Sequence, residues 1–232
     1  MGTVFQFKQF SVQHHNSAMK VGTDGVLLGA WVGLEGVKSV LDVGTGTGLI
    51  ALMVAQRKPD TKITAVELEA GAVEDAKVNF LESPWSTNIK LVHQDIKEFE
   101  EEGFDLVVSN PPFFVNSFKS VTSERSNARH DETLSFYQLL EFVVKSKSKK
   151  LAVIYPYDRL NDLKKIVYDF GWKISRICYV HPTLEKGCSR IMIEIGPWET
   201  SIAEEKLVVE ANGRHAYSKE YINLTKEFYL KM

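Results

Sequence analysis

The chain has 232 residues, enough for one large domain, and its 44% hydrophobic content is ordinary for a protein that buries a core. A formal net charge of −2 excludes a general polyanion binder, so any nucleic-acid contact must come from a local basic patch. The only cysteines, Cys178 and Cys188, have no zinc spacing and suggest no disulfide framework; with no basic-then-apolar leader and no apolar run near the roughly 18 residues of a membrane span, the expectation is a cytoplasmic protein with no metal.

Short apolar runs alternate with helical patterns along the chain. A helix is expected over 24–31, a buried strand over 37–43, a helix over 47–58 and a second strand over 62–68. A helix over 70–81 follows, then strands over 89–93 and 104–109, a helix over 133–146, a strand over 150–155 and a helix over 158–170. Two late strands, 172–180 and 190–195, lie close together and predict an antiparallel hairpin at a sheet edge. The tail adds a short strand over 207–209 and a helix over 218–230. The fold class is therefore α/β: a doubly wound, Rossmann-like sheet of seven mostly parallel strands, the last antiparallel. Residues 37–196 form its core, 1–36 an N-terminal extension and 197–232 a C-terminal addition, all within a single domain.

Gly44, Gly46 and Gly48 end the first core strand and open a helix. Glycine there lets the backbone turn sharply and approach a ligand, and the helix N-terminus offers free N–H groups to an anion. The G-x-G-x-G spacing differs from the G-x-G-x-x-G of dinucleotide binders and favours the smaller carboxylate of S-adenosylmethionine. Asp42 is expected to face the ammonium or sulfonium region of that cofactor. Glu67, closing the second strand, is placed to accept from both ribose hydroxyls, with Glu69 as the competing carboxylate. Asp95, just past the third strand, is placed to accept from the adenine amine. The acids around Phe99 form a solvated face.

Ser109-Asn110-Pro111-Pro112-Phe113-Phe114 follows the fourth strand, at the strand end where open α/β sheets bind ligands. The Asn110 side-chain oxygen and the Pro111 carbonyl form a pair of acceptors for the hydrogens of a planar amine. Pro111 and Pro112 have fixed φ and stiffen the turn, and Phe113 can stack on the planar group. Such an arrangement suits methyl transfer to a weakly nucleophilic nitrogen, and the sheet pattern is the methyltransferase variant of the doubly wound fold. The polar stretch 115–131, with Lys119, Arg125 and Arg129, reads equally as a phosphate-binding loop or a solvated one. The lysines Lys145, Lys147, Lys149 and Lys150 read as a helix-end and solubility feature.

The chain resembles the bacterial tRNA(Val) adenine-37 N6-methyltransferases. The likeness is carried by the Phe5 to Phe10 segment, by Met19-Lys20-Val21-Gly22-Thr23-Asp24-Gly25-Val26-Leu27-Leu28-Gly29-Ala30-Trp31, by the Gly44 turn, by Ser109 to Phe113, and by Asn127-Ala128-Arg129-His130. The resemblance implies that Thr23 and Asp24 lie nearest the methionine end of S-adenosylmethionine. It implies a tRNA substrate whose adenine is turned out of the anticodon stack towards Phe113, a position where many relatives have Tyr. The fold is shared by enzymes that methylate guanine amines of ribosomal RNA or glutamine amides of proteins, and these are the alternative substrates. A non-enzymatic cofactor-binding module is disfavoured by the intact Asn110 and glycine turn.

Overall fold

The computed structural model describes residues 4–111, 134–198, 201–211 and 213–231. The chain opens with a short antiparallel hairpin, β1 (Val4–Gln6) and β2 (Ser11–Gln13), followed by α1 (Thr23–Trp31). The alternating part comprises β3 (Ser39–Val43), α2 (Leu49–Arg57), β4 (Lys62–Glu67), α3 (Ala70–Leu81), β5 (Ile89–His93) and β6 (Leu106–Ser109). It continues with α4 (Phe136–Lys145), β7 (Leu151–Pro156), α5 (Leu160–Asp169), β8 (Lys173–Thr183), β9 (Arg190–Gly196), β10 (Ala203–Glu210) and α6 (Lys219–Thr225).

Strands β3, β6 and β7 are buried along almost their whole length, which matches their unbroken apolar runs: helices cover both faces of the sheet. One face packs on α1, α2 and α3 through Val26, Leu52, Ala76 and Phe80. The other packs on α4 and α5 through Phe136, Leu139, Leu140 and Leu163. Helix α4 begins at a capping box, with Ser135 and Gln138 each bonding the other's backbone N–H. The main sheet has the order β10-β8-β9-β7-β6-β3-β4-β5, and β9 runs antiparallel to both its neighbours. The chain winds outward from β3 to β5, then returns to place β6 on the other flank of β3. That reversal makes the carboxyl ends of β3 and β6 a topological switch point, where ligands of such sheets bind.

Helix α1 is apolar on nearly every side, and Gly25 through Trp31 are all buried. Gly29 permits its close packing on α2, because a Cβ there would come within 2.8 Å of Met53 Sδ. Its C-terminal carbonyls are held by cations. Arg57 donates to Gly29 O and Val32 O at 2.9 and 2.7 Å. Arg176 donates to Trp31 O at 3.1 Å while lying 4.1 Å over the Trp31 ring.

The fold class stands, with four differences of detail. The late hairpin is not the sheet edge: β9 inserts between β7 and β8, and β10 becomes the outermost strand. Strand β10 is longer than the expected 207–209, because Glu205 is bonded by Arg176 and by Trp31 Nε1. The expected tail helix over 218–230 ends at Thr225, and Phe228 and Tyr229 instead pack beside the N-terminal hairpin. That hairpin has no counterpart among the expected elements.

Candidate functional site

The glycine turn between β3 and α2 is built by three left-handed residues, Gly44, Gly46 and Gly48, with φ of 66°, 57° and 84°. Their reasons differ. A Cβ on Gly48 would collide with the Phe80 ring, so that glycine serves packing. A Cβ on Gly44 or Gly46 would meet no protein atom within 4 Å, and both residues line an open cavity. There the missing side chain leaves room for a ligand.

Asp42 corrects the expectation from sequence. It is fully buried beneath the turn and lines neither cavity of the site. Its Oδ2 accepts from Thr45 Oγ1 at 2.6 Å and from Ala51 N at 3.1 Å, tying the turn to α2. Its Oδ1 is buried without a partner among the described residues. Burial pushes its pKa up to about 7, against the lowering effect of those two bonds, and the nearby Glu67 adds to the rise.

Glu67 closes β4 and faces the site. Its Oε2 accepts from Gly46 N at 2.8 Å, and its Oε1 from the backbone N–H of Leu68 and Glu69 at 2.8 and 2.9 Å. Glu69 is engaged elsewhere, capping α3 by accepting from Gly71 N and Ala72 N. Asp95 sits at the start of a short 3₁₀ turn, with Oδ1 accepting from Lys97 N at 2.9 Å. Glu67 and Asp95 line one cavity of about 150 Å³, whose apolar wall includes Leu68, Ile96, Pro111 and Leu134.

A second cavity of about 340 Å³ lies between the 19–25 segment, the glycine turn and Asn110. Gly44 borders both cavities, which lie side by side at the switch point and together make up the cleft. Thr23 and Asp24, the first residues of α1, line the larger part, and Asp24 Oδ2 accepts from Arg190 Nε at 2.8 Å. Asn110 follows β6, whose last residue Ser109 donates its hydroxyl to Val43 O across the switch point at 2.8 Å. Among the described residues, Asn110 Oδ1 is buried with no hydrogen-bond partner. Gly25 brings α1 close to it: a Cβ there would stand 3.9 Å from Asn110 Nδ2.

Pro111 lines the smaller cavity. Pro112, Phe113, Lys119, Arg125, Arg129 and the 127–130 motif lie outside the described residues. Sequence reasoning missed Arg190, the ion-pair partner of Asp24. It also missed Leu68 and Ile96, although each is an apolar residue directly after a proposed ligand carboxylate. Leu68 is 54% exposed and forms part of the wall of the smaller cavity.

A mostly parallel sheet whose winding reverses at β3, a glycine turn that leaves room for a ligand, and an acceptor held at the end of β6 together define a methyltransferase of the Rossmann-like class. Residues 22–129 match the family described as Methyltransferase small domain. The fold is similar to that of a predicted O-methyltransferase from Agrobacterium tumefaciens, at 18% identity and a TM-score of 0.68, covering 88% of this chain and 96% of that one. Along the sequence, the chain is 43% identical over 234 residues to the tRNA1(Val) (adenine(37)-N6)-methyltransferase of Bacteroides fragilis, covering 98% of each. It is 40% identical over 237 residues to the protein of that name from Trichodesmium erythraeum, covering 99% of each. The chain belongs to the tRNA1(Val) (adenine(37)-N6)-methyltransferase family. Among the described residues, no helix is long and apolar enough to cross a membrane.

Proposed function

We propose that this protein, acting as a single domain in the cytoplasm, transfers a methyl group from S-adenosylmethionine to the N6 amine of adenine 37 in tRNA1(Val). The observation that carries the reading is the buried, unpartnered Oδ1 of Asn110 at the wall of the cleft. An acceptor held out of water without a donor is costly unless a ligand supplies the N–H. An exocyclic amine supplies two.

The cleft fits the cofactor. Glu67 holds the ribose hydroxyls and Asp95 the adenine amine, with Leu68, Ile96 and Leu134 around the base. The glycine turn and the first turn of α1, with Thr23 and Asp24, would hold the methionine end. Bound there, S-adenosylmethionine supplies an electrophilic methyl group on a sulfonium. Asn110 Oδ1 and the Pro111 carbonyl accept the two amine hydrogens and turn the nitrogen lone pair towards that methyl. Pro112 keeps the turn stiff, and Phe113 stacks on the extruded base. The N–C bond would form as the sulfonium C–S bond breaks, leaving a neutral thioether; the amine proton is then acidic enough to pass to water, so no strong base is needed. The gain comes from orientation and preorganised acceptors. Lys119, Arg125 and Arg129 provide cations for the RNA backbone.

The test is incubation with radiolabelled S-adenosylmethionine and, in parallel, unmodified total tRNA, ribosomal RNA and total cell protein, followed by nucleoside and amino-acid analysis. N6-methyladenosine confined to the tRNA1(Val) anticodon loop is expected. Label in guanine of ribosomal RNA, or in protein alone, would overturn the substrate.

A further inference from the structure

Beyond the lip formed by Val21, Gly22 and Thr23 lies a larger groove of about 600 Å³. Those three residues wall both the groove and the Asn110 cavity. The remaining walls are largely aromatic: Phe5 from the N-terminal hairpin, and Tyr217, Tyr221 and Tyr229 from the C-terminal addition. Phe7, Phe10 and Phe228 nearby are fully buried, as rings that only close a fold should be. Phe5, Tyr217 and Tyr229 are instead half-buried. They are also braced. Tyr217 lies 5.0 Å from Tyr221 and Phe5 lies 6.1 Å from Tyr229, centroid to centroid.

The rim carries His215 and Lys231, and Lys20 stands on the lip facing the Asn110 cavity. The rim's acid, Glu210, already accepts the His215 backbone N–H at 2.8 Å, with His215 in the left-handed region at φ 65°. Fixed, half-open rings beside the Lys231 ammonium and the imidazole N–H of His215 suit a planar ligand that carries a phosphate.

Taking tRNA as the substrate, as proposed above, we infer that this groove stacks an unpaired nucleotide next to the methylated adenine. Turning a base out of an anticodon loop breaks its stacking on both neighbours. An aromatic wall across the lip from Asn110 replaces that stacking on one side, and it does so for any base. Lys231 and His215 meet the phosphates of the strand as it crosses the lip. An apolar peptide would leave Lys231, His215 and Glu210 without partners.

The test uses an anticodon stem-loop with 2-aminopurine beside the target adenine. Binding to the parent should quench its fluorescence. Tyr217→Leu should lose the quench and raise the stem-loop Kd roughly tenfold, while the Kd for S-adenosylmethionine stays put. Tyr217→Phe should behave as the parent does. Lys231→Gln, at an exposed position, should keep the quench and lower the salt slope of binding by about one. A Tyr217→Leu protein with the parental melting temperature and a Kd within twofold of the parent overturns the assignment. Should that variant fail to fold, Phe5→Leu and Lys231→Gln decide: unchanged Kd and salt slope in both also overturn it. If the tRNA reading itself is wrong, the result differs, because the parent then neither binds nor methylates the stem-loop.

Discussion

The two sides of the cleft differ in how far their polar groups are already engaged. On the side of β3, β4 and β5, Glu67 accepts three backbone N–H groups and Asp95 accepts one. On the side of β6, Asn110 Oδ1 is buried and accepts nothing among the described residues. A carboxylate pinned by backbone donors keeps its direction without a ligand, so little ordering remains to be done when ribose arrives. A buried lone acceptor is the opposite case. It costs the empty enzyme on the order of 1–3 kcal/mol, a cost that an incoming amine removes. On the function proposed above, the cofactor side is a finished scaffold and the catalytic side is completed only by substrate.

The sharpest way to break this contrast is Asn110→Ala. Turnover should fall by roughly 10²- to 10³-fold, with the Kd for S-adenosylmethionine changed by less than about threefold. The melting temperature should hold or rise, because the substitution removes an unsatisfied buried acceptor. A clear loss of stability, or retained single-turnover methylation, would show that the Asn110 side chain is structural.

Glu67→Ala should do what Asn110→Ala does not and weaken both fold and cofactor binding. Three backbone donors lose their acceptor, and the ribose loses its partner, so calorimetry should show a rise in Kd of roughly tenfold or more. Glu69→Ala should cost only the α3 cap, about 1 kcal/mol, with the Kd unchanged. The reverse pattern would move the ribose contact to Glu69.

Much of the sheet around the cleft was legible in the sequence, because its cause is local. Strands such as Leu106–Ser109 are apolar on both faces, and the three glycines follow a strand directly. The N-terminal hairpin was not legible, since its support is distant in the chain. Phe7 pairs with Tyr229, and Lys8 N bonds Phe228 O at 2.8 Å. The length of β10 was hidden for the same reason: Glu205 reads as a solvent residue until Arg176 and Trp31 claim it. Asp42 was misread although its strand held the answer. Leu41 and Val43 join the core on the α4 and α5 face, while Val40 joins the other. Alternation puts Asp42 with Val40, on the α2 face and beneath the turn rather than among the residues that line the two cavities.

Asp42 is also the exception on the engaged side, since only one of its oxygens has partners, and this yields the smallest effect. An unfolded aspartate ionises near pH 3.9. Burial keeps the native one protonated up to about pH 7. Between those values the native state binds more protons than the unfolded one, so stability falls as pH rises through the window and the contribution is lost above it. Asp42→Asn cannot ionise and has no such slope. The melting temperature of the variant, measured against the parent, should therefore climb between pH 5 and pH 8, in buffers matched for ionic strength. A flat difference would mean that Asp42 stays charged throughout, which requires a donor at Oδ1 and would bring that carboxylate back into the polar network of the cleft.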